Sequence, residues 1–181
     1  LKSFRNRALV HFHERQRGLI KACRHGSAQS RQHVDFCKPV FSGLILKGDF
    51  TVKSLVCLKQ VPDTETQIKV TADGSGIVTD GIKYVINPYD EFSVEEALRI
   101  KEKMKAGDVT IVGLGPDRVV EAMRTALAMG ADKGVHVSDE ALNQADPFCI
   151  AQTLAAVAKL SEFDIIFCGH RAIDDDLGET C

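Results

Sequence analysis

The sequence predicts an α/β fold: an open, mostly parallel sheet with helices on both faces. From Ser54 onwards, short apolar runs alternate with segments of helical periodicity. The runs are continuously apolar, which is typical of parallel strands buried on both faces. A length of 181 residues with 44% hydrophobic content suits one domain with a sizeable core. No apolar run approaches the ~18 residues that a membrane span needs.

Two strands and a hairpin are predicted in the first part of this alternation. The run SLVCLK at 54–59 predicts a buried strand. Residues 67–79 predict a hairpin, because QIKV and GIVT alternate in polarity around the turn signal DGSG. A further short strand at 82–86 is expected to end at the turn signal Asn87-Pro88.

A helix is predicted over 90–105, with Asp90 as its N-terminal cap and Gly107 as its end. Its expected apolar face consists of Val94, Ala97, Leu98 and Met104.

The second part of the chain repeats the alternation. Strands are predicted at 109–115, 134–137 and 163–168, and a helix at 117–129 that ends at Gly130. Asp146-Pro147 predicts the start of another helix, because a capping aspartate precedes a proline at the first helical position. The apolar faces of the two helices are Val120, Met123 and Leu127 in the first, and Ile150, Leu154 and Val157 in the second.

The ligand site of such a sheet is expected at the carboxyl ends of its strands. Three loops leave predicted strand ends, after Lys59, after Leu114-Gly115 and after Gly169. The turn at 87–90 opens a helix and is expected to join them. These four stretches are the predicted site on geometry alone.

Glycines at the end of the strand predicted at 109–115 suggest a dinucleotide-binding loop. Gly113 and Gly115 match the first two glycines of the GxGxxG fingerprint, but Arg118 occupies the third position. We therefore favour a tight strand-to-helix turn.

The loop 169–180, GHRAIDDDLGET, is the most unusual stretch of the sequence. Its small residues and N–H groups could cradle a phosphate, with the carboxylates accepting hydrogen bonds from ribose hydroxyls. Two alternatives stay open: Asp174–Asp176 as ligands of a hard cation, although the spacing is not that of an EF-hand, and a solvated acidic loop. Lys59 and Arg171 either balance a phosphate or are surface charge.

The two histidines of this part, His136 and His170, have no nucleophile at a recognisable spacing. We interpret them as structural and expect no catalytic residue.

Charge is distributed unevenly along the chain. Residues 1–50 carry 10 Lys and Arg against 3 Asp and Glu, whereas residues 51–181 carry 13 against 22. The acidic larger part argues against binding to nucleic acid.

The basic leader, 1–51, is left unassigned. It partly fits a transit peptide, being rich in Arg and poor in acids, and its charge fits a basic arm. We favour a third interpretation, that it is not genuine coding sequence, because the codons of Lys47, Gly48 and Asp49 can spell a ribosome-binding run ahead of Val52. A bacterial cytoplasmic location is expected, or the mitochondrial matrix if the leader is a transit peptide.

The stretch from Leu55 to Cys181 resembles the first half of the β subunit of electron transfer flavoproteins. It covers about 125 of the 181 residues. The stretches that carry the resemblance are VCLKQVPD at 56–63, VTDG at 78–81, NPYDE at 87–91 with VEEA at 94–97, GP at 115–116, RTALAMGAD at 124–132, and Gly169 with AIDDD at 172–176.

The resemblance implies an electron carrier with no substrate of its own to transform. The family forms αβ heterodimers that take electrons from flavin dehydrogenases and pass them to a membrane oxidoreductase or another acceptor. FAD lies mainly on the α subunit, and the β subunit has an adenine-nucleotide-binding, Rossmann-like fold that holds AMP structurally. The implied nucleotide contacts in this sequence are Cys57, Asn87, Pro88, Tyr89, Asp90, Leu114, Gly169, His170, Arg171, Ala172, Ile173, Asp174, Asp175, Asp176, Leu177, Gly178, Glu179 and Thr180.

Residues 52–181 are accordingly predicted to be a nucleotide-binding α/β domain, truncated on its C-terminal side. Some relatives bind a second FAD in place of AMP and tend to have a glycine in the middle of the acidic triplet, so Asp175 favours AMP. Glu179 departs from the family, which tends to have Gln there. The alternatives are a stand-alone adenine-nucleotide-binding enzyme and a stress-type regulatory binder on the same fold.

Overall fold

The structure is a computed structural model, and it describes residues 9–12 and 51–180. The predicted leader therefore lies outside the described residues, apart from 9–12 and Thr51, and so does Cys181. The strands are β1 (Leu9–Phe12), β2 (Val52–Leu58), β3 (Gln60–Pro62), β4 (Tyr84–Ile86), β5 (Gly107–Leu114), β6 (Lys133–Val137) and β7 (Ile165–Phe167). The helices are α1 (Pro88–Met104), α2 (Val119–Met129) and α3 (Pro147–Ala158), with a 3₁₀ turn at Glu140–Gln144.

The main sheet contains five parallel strands in the order β1-β6-β5-β2-β7. β3 and β4 form a separate antiparallel pair. The fold class is therefore the predicted one, an α/β fold with a mostly parallel sheet. β2 lies between β5 and β7, so the carboxyl ends of these three strands meet at one edge.

Helices cover both faces of the sheet. On one face, α1 and α2 pack on the core that includes Val56, Ile111 and Met123. On the other, α3 packs on a smaller core around Leu55 and Val112. Because β2 is covered on both sides, its residues from Ser54 to Leu58 are all buried. This explains the continuous apolar run in the sequence.

The predicted elements are confirmed with shifted ends. Asp146 caps α3 as expected, since its side chain accepts a hydrogen bond from the N–H of Cys149 at 2.7 Å. The prediction for α1 was wrong at its start and right at its end. The helix begins at Pro88 after Asn87, so Asp90 lies inside its first turn. It runs to Met104, next to the predicted end near Lys105, and Lys105 is its C-cap with a left-handed φ of +55°. Met104, expected on the buried face, is 43% exposed.

The predicted hairpin is present in reduced form. Val70 and Ile77 form a single antiparallel bridge, and the N–H of Val78 donates to the carbonyl of Lys69 at 2.8 Å. Neither arm forms a regular strand, because this segment packs against no core and its side chains are mostly exposed.

Two pairings were not predicted. β1 lies in the leader and pairs in parallel with β6 at the edge of the sheet. β3 and β4 pair although 21 residues separate them. Three-residue strands carry too little periodicity to predict their partners.

No helix in the described ranges combines the length and the apolar character that a membrane span requires.

Candidate functional site

Asn87 ties together the stretches predicted to meet at the carboxyl ends of the strands. Its side chain is 1% exposed. The Asn87 amide donates to the carbonyl of Arg171 at 2.9 Å and accepts from the N–H of Ile173 at 3.3 Å. Its backbone N–H donates to the carbonyl of Lys59 at 3.0 Å. One buried residue therefore joins the end of β2, the start of α1 and the loop after β7.

Asp90 makes a second link between the same elements. Because it lies in the first turn of α1, its carboxylate is directed to the strand ends, where Oδ2 accepts the N–H of Lys59 at 2.7 Å and the carboxylate also accepts the N–H of Gly169. Burial raises the pKa of Asp90 to about 6, against the opposing effect of these hydrogen bonds and one from Asn87. The predicted capping role is thus replaced by a bridge between β2 and β7.

Gly169 leaves no room for a side chain. A Cβ at this position would overlap Oδ1 of Asp90 and would lie 3.0 Å from both the backbone nitrogen of Asp90 and the carbonyl carbon of Tyr89. We call Asn87, Asp90 and Gly169 the floor of the site. The floor is closely packed and its polar groups are buried or bonded.

Exposed charged groups surround the floor. Nζ of Lys59 lies 2.8 Å from Oδ1 of Asp174 and 2.7 Å from Oδ2 of Asp175. Arg171 donates to Oδ2 of Asp176 at 3.0 Å. We call these five side chains the rim of the site.

Aromatic rings lie beside the rim. The guanidinium of Arg171 is 5.6 Å from the ring centroid of Tyr89 and donates to its hydroxyl at 3.4 Å. The rings of Tyr89 and His170 meet edge to face at 6.3 Å between centroids. His170 is exposed and Tyr89 is partly buried. Rings at a surface next to exposed cations can contact both the base and the phosphate of a nucleotide.

The acidic triplet is thus paired with cations from this chain. Among the described residues, no group of three or more His, Cys, Asp or Glu side chains is arranged to hold a metal ion. Asp174 and Asp175 instead organise the loop itself: Oδ1 of Asp174 accepts the N–H of Asp175, and Oδ1 of Asp175 accepts that of Leu177.

The remaining predicted site residues lie at the same edge of the sheet. Cys57 and Leu114 are at the ends of β2 and β5, on the face that α3 covers. Pro88 opens α1, and Ala172 is buried beneath the loop. Leu177, Gly178 and Glu179 are exposed, and Thr180 is partly buried.

His136 stabilises the turn after β5. It is fully buried, and its Nε2 lies 3.0 Å from the carbonyl of Gly115. This contact supports the structural interpretation of His136. Gly115 has a φ of +129°, so the glycine provides the tight turn that was favoured over a dinucleotide loop.

Two residues beside the site were left out of the predicted set. From the sequence, Lys59 was predicted either to balance a phosphate or to be surface charge. Nothing in the sequence indicated that its ammonium contacts Asp174, 115 residues later in the acidic loop. Gln60 is nearly buried and donates to the carbonyl of Arg118 at 2.9 Å, which joins β3 to the start of α2. The only sequence signal for Lys59 and Gln60 was that two polar residues follow an apolar strand.

The fold and this edge define the chain as an open α/β domain with its candidate site at the carboxyl ends of parallel strands. The sequence model of the family described as "Electron transfer flavoprotein domain" matches residues 75–180. The chain belongs to the electron transfer flavoprotein family, and its relatives bear the name of the β subunit.

Three of these relatives show the breadth of the match. The "Electron transfer flavoprotein subunit beta" of Mus musculus is 43% identical over 131 residues, which is 71% of this chain and 51% of the relative. The protein of the same name from Bradyrhizobium diazoefficiens is 43% identical over 129 residues, with 71% and 51% covered. "Electron transfer flavoprotein subunit beta, mitochondrial" of Arabidopsis thaliana is 42% identical over 129 residues, with the same coverage. The chain spans about half the length of the relatives it matches.

Proposed function

We propose that this chain supplies the nucleotide-binding part of an electron transfer flavoprotein β subunit. Its partner would be an α subunit that holds most of the FAD, and the pair would carry electrons from flavin dehydrogenases to a membrane or other acceptor. In this proposal, the FAD supplies the electron-carrying chemistry when bound. The chain itself holds AMP as a structural ligand and is a carrier component without a substrate of its own.

The observation that carries the proposal is the docking of the loop 169–180 on the start of α1. Asn87 and Asp90 fix this loop at the carboxyl ends of β2 and β7, the position at which open α/β sheets bind ligands. The loop and Asn87 both lie within the stretch that the family model matches.

The side chains at this edge fit an adenine nucleotide. Tyr89, His170 and Leu177 offer aromatic and apolar surface for a base. Arg171 and Lys59 offer positive charge near a phosphate, and the carboxylates can accept hydrogen bonds from ribose hydroxyls. The residues proposed to hold AMP are those predicted from the sequence: Cys57, 87–90, Leu114 and 169–180.

Asp175 supports AMP over a second FAD. Its carboxylate bonds both to Nζ of Lys59 and to the N–H of Leu177. A glycine in its place, as the resemblance implies for relatives with two flavins, would lose both bonds and change the course of the loop.

The relatives are compatible with either predicted location. One is named mitochondrial and comes from Arabidopsis thaliana, and another comes from the bacterium Bradyrhizobium diazoefficiens. We propose the cytoplasm for a bacterial source and the mitochondrial matrix for a eukaryotic one.

The proposal is tested by co-expressing the full chain with an α subunit of the family and analysing the purified complex. We expect the two proteins to co-purify and, after acid release, to yield AMP and FAD in equal amounts by chromatography. Two FAD per complex without AMP would contradict the AMP assignment. If the chain does not bind the α subunit but hydrolyses ATP, the result would instead support a stand-alone nucleotide enzyme. If it only self-associates, the result would support a regulatory binder.

A further inference from the structure

Lys59 is a rim residue whose backbone is held in place by the floor. Its N–H donates to Asp90, and its carbonyl accepts from Asn87. Because its N–H and its carbonyl are both held by buried residues, the side chain of Lys59 leaves the backbone just after β2 in a defined direction. It ends between Asp174 and Asp175, and the side chain as a whole is 44% exposed.

The charge balance of the loop depends on this ammonium. The loop carries the carboxylates of Asp174, Asp175 and Asp176, and Glu179 adds a fourth a few residues later. Arg171 pairs with Asp176. Lys59 is the cation that contacts the other two members of the triplet, so its removal would leave two adjacent negative charges facing any bound phosphate.

The same contact also determines the course of the loop. Asp175 uses Oδ2 for Lys59 and Oδ1 for the N–H of Leu177, and Asp174 uses Oδ1 for both Lys59 and the N–H of Asp175. The orientation of each carboxylate towards Lys59 therefore fixes the turn at 174–177.

We propose that Lys59 is a positioning residue of the nucleotide site: it orients Asp174 and Asp175 and offsets their charge, so that a ligand bearing a phosphate can bind beside an acidic loop. This inference rests on the proposed AMP site. It assigns to Lys59 a role in discriminating charged from uncharged adenine ligands.

The charge of the ligand separates this role from a purely structural one. If Lys59 only packed the loop, its loss would weaken AMP and adenosine equally. If it offsets the carboxylates, its loss weakens AMP selectively, because adenosine carries no phosphate for them to repel.

The experiment measures binding of AMP and of adenosine to the full chain by calorimetry at low salt. For Lys59→Met we expect AMP affinity to fall about tenfold and adenosine affinity by less than about twofold, as two uncompensated charges several ångströms from a phosphate imply. The double variant Lys59→Met with Asp175→Asn should regain most of the AMP affinity, because one of the two carboxylates is removed. Lys59→Gln keeps a hydrogen-bond donor without the charge and should show the same selectivity, which provides a second variant if the first does not fold.

Lys83→Met is the matched control. Lys83 forms an equally short ion pair, 2.7 Å to Asp63, outside the site. Its replacement should leave both affinities unchanged.

Two outcomes overturn the proposal. Equal weakening of AMP and adenosine by Lys59→Met, or no recovery in the double variant, would reduce Lys59 to a packing role while the AMP site stands. If the unmodified chain binds no AMP at all, the proposed function fails first, and the role of Lys59 falls with it.

Discussion

The floor and the rim of the site share one loop but are stabilised by different physics. The floor consists of Asn87 and Asp90, whose side chains are buried, and of Gly169, which has no space for an added Cβ. The rim consists of ion pairs whose side chains are 30 to 64% exposed. Buried hydrogen bonds are costly to break, whereas exposed ion pairs contribute little and are screened by salt.

This difference indicates that the floor and the rim have different roles. The floor should determine whether the loop docks on the sheet, and therefore stability. The rim should determine how the docked loop responds to charge, and therefore ligand affinity. Substitutions in the floor and in the rim test this distinction, and the exposed hairpin segment provides neutral controls.

The largest expected effect comes from Gly169→Ala. The new Cβ would overlap the carboxylate of Asp90 and press on the backbone of α1, so either the loop or the helix must move. We expect the free energy of unfolding, measured by urea titration, to fall by about 3 kcal/mol.

The control for this variant is Gly76→Ala in the hairpin. Among the described residues, no heavy atom beyond Gly76 and its two chain neighbours lies within 4 Å of the position that its Cβ would occupy. Its free energy of unfolding should change by less than about 0.5 kcal/mol. Equal effects of the two variants would show that the floor is not closely packed.

The second effect is the pH dependence that Asp90 confers. Burial raises its pKa from 3.8 in the unfolded chain to about 6 in the folded protein. The folded state therefore holds a proton that the unfolded state has already released, and this contribution to stability is fully present below pH 3.8 and lost as the pH rises through about 6. The loss amounts to about 2–3 kcal/mol.

Asp90→Asn isolates this contribution, because the amide does not titrate. The measurement is the difference in free energy of unfolding between the original chain and Asp90→Asn, from pH 4 to pH 7. We expect the original chain to lose stability relative to the variant as the pH rises. A constant difference, or one of the opposite sign, would mean that the hydrogen bonds from Lys59, Asn87 and Gly169 outweigh burial.

The third effect comes from Asn87→Ala. The change leaves the carbonyl of Arg171 and the N–H of Ile173 without the partner that docks the loop. Unpaired buried polar groups lower the free energy of unfolding by about 2 kcal/mol. Ser75→Ala, which removes an exposed 2.8 Å hydrogen bond to Asp73 in the hairpin, should cost less than about 0.5 kcal/mol.

The sequence predicted the floor and the rim unequally. Strand and helix alternation placed Asn87, Asp90 and Gly169 at the right edge of the sheet, because the position of a parallel strand's end follows from its apolar run. The role of Asp90 was predicted wrongly as an N-terminal cap. An aspartate near the start of a helix has the sequence signature of a cap whichever way its carboxylate points. The N-cap is Asn87 instead of Asp90, and this three-residue difference in where α1 begins decides that direction.

The rim was harder to predict because its charges come from distant parts of the chain. Lys59 and Asp175 are 116 residues apart, and each by itself looks like an exposed charge. The antiparallel pairing of β3 with β4 was missed for a related reason: the pairing depends on how the chain returns after the hairpin, which local periodicity does not record.

The smallest expected effect on stability is that of Arg171→Ala, and it is the sharpest test of the rim. The change removes the 3.0 Å ion pair with Asp176 and the contact with the ring of Tyr89, both at the surface. The free energy of unfolding should fall by clearly less than in Asn87→Ala, because exposed ion pairs and exposed cation–π contacts contribute little. The part due to the ion pair should vanish at 1 M salt, where the screening length is about 3 Å.

The control is Lys83→Ala, which breaks the exposed Lys83–Asp63 pair. It should lower the free energy of unfolding slightly at low salt, as Arg171→Ala does, and this loss should also vanish at 1 M salt. If Arg171→Ala instead costs as much as Asn87→Ala and the loss persists in salt, Arg171 belongs to the floor, and loop docking and charge response are one property of the site.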